Sequence, residues 1–360
     1  MITPLICFYQ NKKIISYDYD HFSTNDRDWR SFLKNFEETS QDRVIIVKMD
    51  FEAGMLPQQI EEDSINTKNF KSNLVDIFVL NNFEEYNPYQ MKHAPLNLFP
   101  MMSKNNFGNM FKSSHEKIEE GGFYQINLSF PFAGDTQSSP TSIFNNLSNK
   151  FSGSYHALIP TPHYSLLSFS PEQFLMKRGN TLSTSPIKGT ISKNVKNYEA
   201  ILLESQKESA ELSMIVDLLR NDISRASDIS PSKVIKHREI MDLGNLVHTY
   251  STIESETSLN LCEILWETLP GGSISGCPKR EAVLNILKLE PYARGPYTGI
   301  CGWWHKDNFE LNILIRSLVL LPNGKCFYSA GGGIVYDSKC NMEYDEILLK
   351  AEMIREKTDD

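Results

Sequence analysis

The sequence predicts an α+β protein in which a large antiparallel β-sheet sandwich is covered on its outside by helices. Strand-like runs follow one another along the chain, and helices interrupt them without a regular strand-helix-strand alternation. The turn Pro322-Asn323-Gly324 joins two such runs as a hairpin, which connects antiparallel neighbours. A doubly wound parallel sheet is therefore disfavoured.

Two strand-like runs and one helix are predicted at the start of the chain. The apolar runs Val44-Val47 and Asp76-Leu80 predict buried strands. A linker-like stretch from Asn87 to Pro100 follows, and Ser103 to Glu120 predicts a helix that ends at Gly121-Gly122. We therefore expect a short N-terminal region over 1-104 and a larger unit over 105-360.

The larger unit carries more strands and two further helices. Helical spacing of apolar residues predicts one long helix from Tyr198 to Asn221 and a second that begins at Pro278. The predicted strands are Phe123 to Phe130, Tyr164 to Ser170, Phe174 to Lys177, Tyr297 to Trp304, Glu310 to Leu321 and Lys325 to Ala330.

Charge and composition exclude several classes of protein. The chain has 360 residues, a net charge of -9 and no basic run, which argues against a general nucleic-acid binder. No apolar run approaches the roughly twenty residues that cross a bilayer. Six cysteines are scattered without a Cys-x-x-Cys pair, so neither a zinc site nor a disulfide framework is indicated. Without an export signal, we expect a cytoplasmic protein.

Lys188 is the first residue that could carry chemistry. Pro186 precedes it and restricts the backbone, and Gly189 follows it and allows the chain to turn. This arrangement places the lysine at the end of a strand. Most lysines at such turns are solvated surface charges. The local sequence alone therefore favours no chemical role.

Acidic residues in two predicted helices could hold a metal ion. Glu343 and Glu346 lie three residues apart and project from one helix face, and Glu211 lies on the long helix. Each taken alone fits a solvated helix surface better. Carboxylates without clustered Cys or His would nevertheless suit Mg²⁺, which binds one or two protein carboxylates, waters and a ligand oxygen.

Two glycine-rich segments could approach a ligand closely. The loop from Gly271 to Lys279 lacks the Gly-Lys-[Ser/Thr] ending of a nucleotide-binding P-loop, but it leads into a helix N-terminus that could hold a carboxylate. The run Gly331-Gly332-Gly333 directly follows a strand, where glycine gains no packing. Arg316, within an apolar strand, needs an anionic partner. His248 by itself fits an ordinary core histidine.

Taken in order, these motifs resemble those of the chorismate-utilising enzyme family over residues 105 to 356. The motifs that carry the resemblance are Tyr124-Gln125-Ile126-Asn127-Leu128, Ser170-Pro171-Glu172, Pro186-Ile187-Lys188-Gly189-Thr190, Glu211 with Met214 to Asp222, the glycine-rich loop 271-279, Ile315-Arg316-Ser317 and the final Glu-x-x-Glu. So many ordered motifs make the resemblance specific.

The resemblance implies an anthranilate synthase component I-like fold and a chorismate-binding catalytic core over 105-360. It implies that Glu211, Glu343 and Glu346 surround Mg²⁺. The catalytic residues that it implies are Lys188 as covalent nucleophile, Glu172 for proton transfer and the active-site histidine His248. The residues that it implies for holding chorismate are Ser273, Gly276, Tyr297, Arg316, Gly331, Gly332 and Gly333.

Lys188 separates two branches of the family. Anthranilate and salicylate synthases usually carry alanine at this position, whereas aminodeoxychorismate synthases of this type carry lysine. The resemblance therefore implies transaminase-type, Mg²⁺-dependent amination of chorismate to 4-amino-4-deoxychorismate, for p-aminobenzoate and folate biosynthesis. In the implied route the lysine amine adds to the ring as the C4 hydroxyl leaves, and ammonia then displaces the lysine.

The implied reaction needs a source of ammonia. The chain ends at Asp360, soon after the metal motif, so we expect a separate glutamine amidotransferase subunit and a separate lyase. Two alternatives stay open. An anthranilate synthase component I would release a product without the enolpyruvyl group, and an inactive chorismate-binding regulatory subunit would release none.

Several positions depart from the family pattern. Ser185 replaces a common arginine, Cys277 a common alanine and Ile347 a common threonine, and Trp303-Trp304 stand where Gly-Tyr is usual. The N-terminal tryptophan-site motif of the family is missing, so we do not expect bound tryptophan.

Overall fold

The structure is a computed structural model, and it describes residues 3-37, 42-60, 72-89, 91, 95-151, 155-243, 246-352 and 354. Helices and strands alternate irregularly along these residues, as an α+β protein requires. None of the described helices is both long and apolar enough to cross a membrane.

The helices lie mainly in the second half of the chain. Their bounds are α1 Trp29–Glu37, α2 Lys104–Glu119, α3 Pro140–Lys150, α4 Tyr198–Glu204, α5 Gln206–Arg225, α6 Leu261–Thr268, α7 Lys279–Leu289 and α8 Cys340–Glu352. The predicted helices at Ser103 and Pro278 are confirmed, since Ser103 caps α2 through the Asn106 amide and Pro278 precedes α7.

The strands cover the whole length of the chain. Their bounds are β1 Leu5–Tyr9, β2 Lys12–Thr24, β3 Ile45–Met49, β4 Val75–Glu85, β5 Phe99–Pro100, β6 Gln125–Asp135, β7 Tyr155–Pro160, β8 Ser165–Ser170, β9 Gln173–Arg178, β10 Thr181–Thr184, β11 Ile187–Ser192, β12 Ser230–Leu243, β13 Leu246–Glu256, β14 Gly276–Cys277, β15 Ile300–His305, β16 Asn308–Ile313, β17 Ser317–Leu320 and β18 Lys325–Ile334.

Hydrogen bonds join these described strands into one continuous antiparallel ladder of 18 strands. From β13, flanked by β11 and β12, the ladder runs through β10, β9, β16, β15, β3 and β4 to β2. It continues through β1, β7, β8, β17 and β18 to β6, with β5 and β14 beside β6. The predicted antiparallel sheet is confirmed, including the β17–β18 hairpin.

The N-terminal strands are part of this ladder. β1 pairs with β7, and β3 pairs with β15 over Met49 to Ile45. Strands from before and after position 104 therefore share one sheet. The boundary at 104/105 stays a prediction, but the two sections are held together by backbone hydrogen bonds.

Aromatic packing fixes the helix that carries two of the predicted metal-binding glutamates. Phe107 of α2, Phe130 of β6 and Tyr344 of α8 are buried, with ring centroids 5.5 to 5.9 Å apart. Burying a side chain of this size contributes about 1.5 to 3 kcal/mol each. Ile347 is also buried, so α8 turns this face to the core and holds Glu343 and Glu346 beside it.

Two predicted elements are interrupted in the structure. The long helix predicted from Tyr198 to Asn221 is wrong as one piece, because Ser205 ends α4 and caps α5 through the Glu208 amide. The strand predicted from Glu310 to Leu321 is also split. Arg316 has a positive φ of 50° between β16 and β17, where the chain changes its partner from β9 to β8.

Candidate functional site

The two ends of the ladder face one cavity of about 600 Å³. β11 and β13 contribute one wall, β6 and β18 contribute another, and α5 and α8 lie along its length. All predicted site residues except Gly276 line this cavity. A second depression of about 440 Å³, near Thr136 and Asn323, contains none of them.

Lys188 reaches the cavity from a bulge in β11. Lys188 lies opposite Thr249 and Thr190 lies opposite His248, so Gly189 is the extra residue, with a φ of 62°. The Thr249 hydroxyl donates a hydrogen bond of 2.7 Å to the Lys188 carbonyl oxygen. Among the described residues, no side chain or backbone atom forms a hydrogen bond or ion pair with the Lys188 amine. The backbone is therefore held while the amine is left for a ligand.

Glu172 shares the cavity with three cations. Ser273 donates a hydrogen bond of 3.2 Å from its hydroxyl to Glu172 Oε1. Burial raises the pKa of Glu172, although Lys188, Arg316, Lys350 and the Ser273 hydroxyl each lower it. A carboxyl group held in this way exchanges a proton more readily near neutral pH than an exposed glutamate does.

His248 lies on β13 and is buried to 5% exposure. Its Nδ1 lies 3.2 Å from the Gly189 carbonyl oxygen, which can only accept, so Nδ1 carries the hydrogen. Burial lowers the pKa of His248, and Arg316 lowers it further. The neutral ring with a hydrogen on Nδ1 leaves Nε2 as its proton acceptor.

Arg316 brings a guanidinium to the cavity, and the described residues give it no carboxylate at ion-pair distance. It is partly buried, and among the described residues no ion pair or side-chain hydrogen bond satisfies it. Burial lowers the pKa of Arg316, partly offset by Tyr328 and Glu172. A desolvated guanidinium of this kind favours a bidentate carboxylate ligand.

Close approach requires glycine at position 331 of β18, and positions 332 and 333 leave little room beside the cavity. An ideal Cβ at Gly331 would lie 2.6 Å from the Leu128 carbonyl oxygen and 2.8 Å from the Tyr297 hydroxyl. An ideal Cβ at Gly333 would lie 3.0 Å from Gln125 Nε2. At Gly332 the nearest atom is Glu343 Oε2, at 3.5 Å. The glycine segment of β18, which has no side chains, therefore places its backbone directly at the cavity surface.

Gly276 is the one predicted residue outside the cavity wall. An ideal Cβ there would lie 2.2 Å from the Gln125 carbonyl oxygen, and its φ is 148°. Glycine is therefore needed at this position for packing between the loop and β6.

Four glutamates line the cavity where the metal site is predicted. They are the predicted Glu211, Glu343 and Glu346, together with Glu208. Glu343 accepts a 2.7 Å hydrogen bond from Ser338, and Glu346 forms a 2.8 Å ion pair with Lys350. No three His, Cys, Asp or Glu side chains among the described residues are close enough together to hold a metal as they stand.

This donor set nevertheless fits Mg²⁺ by its chemistry. All four side chains offer carboxylate oxygens to the same cavity, and Mg²⁺ needs only one or two of them besides water and ligand oxygens. The magnesium site stays a prediction.

Several residues of the cavity are not among the predicted site residues. Lys350 donates a 2.9 Å hydrogen bond to the Gly331 carbonyl oxygen, and Gln125 and Asn127 line the wall from β6. Glu208 fits a charged helix face by its sequence alone. Lys350 follows Glu346 by four residues, which places both on one face of α8, and this helical spacing is the signal that points to it.

Comparison with known proteins shows which family the chain resembles. The profile of the chorismate binding enzyme family matches residues 13–356. The aminodeoxychorismate synthase component 1 of Bacillus subtilis (strain 168) is 34% identical over 253 residues, which cover 67% of this chain and 54% of the relative. The aminodeoxychorismate synthase component 1 of Escherichia coli (strain K12) is 33% identical over 261 residues, which cover 70% of this chain and 57% of the relative.

A relative from another branch is equally similar. The anthranilate synthase component 1 of Lactococcus lactis subsp. lactis (strain IL1403) is 33% identical over 267 residues, covering 72% of this chain and 58% of the relative. The chain thus spans a little more than half the length of the curated relatives it matches.

A solved structure shows the fold. The anthranilate synthase component I of Streptococcus pneumoniae TIGR4 superposes with a TM-score of 0.81 at 24% identity, covering 98% of this chain and 90% of that one. The predicted anthranilate synthase component I-like fold is confirmed.

Proposed function

The chain belongs to the chorismate binding enzyme family, and from this premise we propose that it aminates chorismate to 4-amino-4-deoxychorismate. Curated relatives from the aminodeoxychorismate and anthranilate synthase branches are equally similar, so overall identity does not separate the two. The observation that carries the proposal is the lysine itself. Lys188 extends into the cavity beside Glu172, His248 and Arg316, where an alanine would offer no nucleophile.

The cavity offers two kinds of group for the dianionic substrate. The guanidinium of Arg316 and the ammonium of Lys350 are positive, and the β18 backbone offers its polar atoms at Gly331 to Gly333. Tyr297 and Ser273 supply hydroxyls beside them. A substrate carboxylate bound to Arg316 would supply the ion pair that the described residues do not give this guanidinium.

The first chemical step forms a bond from Lys188 to the ring. The neutral amine attacks a ring carbon as the C4–O bond breaks, and Glu172 gives its proton to the departing hydroxyl, which leaves as water. The raised pKa of Glu172 favours the protonated carboxyl that this step needs. The product of the step is a lysine adduct, water and a Glu172 carboxylate.

The second step returns both residues to their starting state. Ammonia forms a bond to C4 as the bond to the Lys188 nitrogen breaks, and the excess proton on the new amine returns to Glu172. His248 is placed to orient water or ammonia through Nε2, because its Nδ1 hydrogen is directed to Gly189. The sum is chorismate plus ammonia giving the amino product plus water.

Glu211, Glu343 and Glu346, with Glu208, are the residues that would hold Mg²⁺. When bound, the ion would act as a Lewis acid that holds the ring carboxylate. The negative charge of the four glutamates would otherwise repel an anionic substrate.

We further propose a separate glutamine amidotransferase subunit as the ammonia source and a separate lyase that forms p-aminobenzoate for folate synthesis. The matched relatives are named as components 1, which supports a two-component arrangement. A cytoplasmic location is likewise a proposal.

A product assay tests the proposed function. The purified chain is incubated with chorismate, ammonia and Mg²⁺, and the product is identified by mass spectrometry. An aminated product that keeps the enolpyruvyl group supports the proposal. Anthranilate would assign the chain to the other branch, and chorismate that binds without turnover would indicate the inactive regulatory subunit.

A further inference from the structure

Arg294 is a buried guanidinium beneath the cavity. It is 6% exposed, and it does not itself line the cavity wall. Its Nε donates a 2.9 Å hydrogen bond to Glu290 Oε2, and its Nη2 donates a 2.8 Å bond to Glu290 Oε1. This bidentate pair fixes the plane of the guanidinium.

The other donors of Arg294 reach backbone atoms of two cavity walls. Nη1 donates to the Ile274 carbonyl oxygen at 3.0 Å, and Nη2 donates to the Asn127 carbonyl oxygen at 2.7 Å. Ile274 belongs to the glycine-rich loop and Asn127 to β6, and both line the cavity. The Arg294 side chain therefore bridges the loop and the strand, in addition to the backbone pairing of β14 with β6.

Each of these walls carries a group of the site. Ser273, next to Ile274, donates to Glu172. Tyr297 lies with its ring centroid 5.8 Å from the Arg294 guanidinium. Asn127 is the strand partner of Gly333. A displacement of Arg294 would thus shift Glu172, Tyr297 and the glycine segment of β18 together.

The N-terminal section completes this arrangement. Glu52 accepts hydrogen bonds from the Arg294 amide at 2.9 Å and the Gly295 amide at 3.1 Å. The Phe51 ring centroid lies 4.7 Å from the guanidinium. Residues 51 and 52 therefore hold the backbone and one face of the arginine.

We propose that Arg294 is a positioning residue for the chorismate cavity, held by Glu290 and Glu52, and that it keeps the glycine-rich loop, β6 and Tyr297 in register. The proposal rests on the proposed function for the ligand and for the role of Glu172. A guanidinium offers five donors in one plane, which a lysine cannot reproduce. Misplacement of reacting groups by about 1 Å can cost about a hundredfold in rate.

A buried ion pair could instead serve only to stabilise the fold. The chain offers a control in Arg178, which donates to Glu310 at 2.6 Å and also lies against an aromatic ring, that of Trp303. Its side chain is 40% exposed, against 2% for Arg294, so the stability of each variant is measured beside its affinity. Neither residue of this pair lines the cavity. The two pairs therefore separate loss of stability from loss of positioning.

The test compares Arg294→Lys with Arg178→Lys in the full chain. Chorismate affinity is measured by isothermal titration calorimetry in the presence of Mg²⁺, and stability by thermal unfolding. We expect Arg294→Lys to weaken chorismate binding by about ten- to a hundredfold, and Arg178→Lys to leave it within about twofold. Wild-type affinity in Arg294→Lys, or equal loss in both variants, would overturn the proposal.

The pH dependence of kcat gives a second readout. The Ser273 hydroxyl lowers the pKa of Glu172 through its hydrogen bond. In Ser273→Ala, the apparent pKa that the kcat profile assigns to Glu172 should therefore rise. Arg294→Lys should move it in the same direction, and Arg178→Lys should not. An unchanged apparent pKa in Arg294→Lys counts against the proposal.

Folding failure and failure of the proposed function give distinct results. If Arg294→Lys does not fold, Glu52→Gln is used instead. This variant keeps the bidentate pair of Arg294 with Glu290 and weakens only the hydrogen bonds to the Arg294 backbone. We expect it to bind chorismate about three- to fivefold more weakly than Glu310→Gln does. Equal binding by these two variants would refute the proposal. A wild type that binds chorismate without aminating it rejects the proposed function while the binding comparison stands. A wild type that does not bind chorismate rejects both.

Discussion

Arg294 and Arg316 show two opposite uses of a guanidinium in one part of the molecule. Arg294 is saturated by Glu290 and backbone carbonyls, and Glu290 raises its pKa against the effect of burial. Arg316 has no such partner among the described residues, and burial lowers its pKa. An arginine whose donors are all hydrogen-bonded holds the surrounding structure in place, whereas a desolvated arginine without an ion pair is suited to bind an anionic ligand.

The same contrast holds for the lysines. Lys279 is buried and pairs with Asp222 at 2.8 Å, while the Lys188 amine has no hydrogen bond or ion pair within the described part of the chain. The region around Arg294 and Lys279 is therefore a framework, and the region around Arg316 and Lys188 is the proposed reactive region. Substitutions in the framework should cost stability, and substitutions in the reactive region should cost function alone.

The largest expected effect is at Lys188. Lys188→Ala should reduce amination of chorismate with ammonia by about a thousandfold or more, because the nucleophile is lost. Chorismate binding and the melting temperature should change little. Product formation is followed by mass spectrometry, and Lys193→Ala, which breaks an ion pair with Asp242, is the control. Full amination by Lys188→Ala would remove the lysine from the mechanism.

Arg316→Gln should weaken chorismate binding by about 2 to 3 kcal/mol, because a buried charge pair with the substrate is lost. Its unfolding free energy should change little, because the cost of desolvating the guanidinium disappears while Glu172 loses one of the three cations that lower its pKa. Calorimetric titration and urea unfolding measure the two quantities, with the exposed Arg280→Gln as control. A large loss of stability would place Arg316 in the framework instead.

Asp222→Asn should lower the unfolding free energy by about 3 kcal/mol, because Lys279 is left as a buried cation without its partner. Asp222 is 4% exposed at its side chain, whereas Asp217, on the same helix, is 83% exposed. Asp217→Asn is therefore the matched control, with an expected change near zero. Urea denaturation of both variants makes the comparison, and equal stabilities would contradict the framework assignment.

Glu52→Gln should give the smallest effect, and one that depends on pH. Burial raises the pKa of Glu52 from 4.5 to about 7, so the fold favours the protonated acid. That stabilisation is complete below pH 4.5 and is lost as the pH rises through about 7. The glutamine variant does not ionise, so its stability relative to wild type should be about 1 to 2 kcal/mol greater at pH 8 than at pH 5.

Thermal unfolding of Glu52→Gln and wild type across this pH range measures the difference. Glu281→Gln, an exposed glutamate in α7, should show none of it. A difference that does not change between pH 5 and pH 8 would mean that Glu52 does not titrate in this window.

Periodicity predicts many elements because it reports burial directly. The apolar stripe of Leu212, Ile215, Val216 and Leu219 is buried in α5. Periodicity does not reveal the break at Ser205, which depends on a cap rather than on hydrophobic spacing. Apolar neighbours likewise predict a strand through Arg316, although its left-handed backbone is set by the exchange of strand partners.

The motifs predict the members of the site better than its supports. Lys188, Glu172 and Arg316 stand in recognisable local patterns, and all three line the cavity. Arg294, Glu290 and Glu52 give no such signal. Glu52 and Arg294 lie 242 residues apart in the chain, and a pairing over that distance cannot be read from local spacing.

The sequence by itself determined which residues were candidates for the site: a lysine between Pro186 and Gly189, carboxylates at helical spacing, and a run of glycines at the end of a strand. Only the tertiary structure decided which charges are satisfied. The ladder brings β11 and β13 to the same cavity as β6 and β18. The buried charges of Arg294 and Lys279 are paired within the protein and are therefore not available to a ligand. Hydrogen-bond saturation is a property of contacts between distant segments, so it separates Arg294 from Arg316 where residue type alone does not.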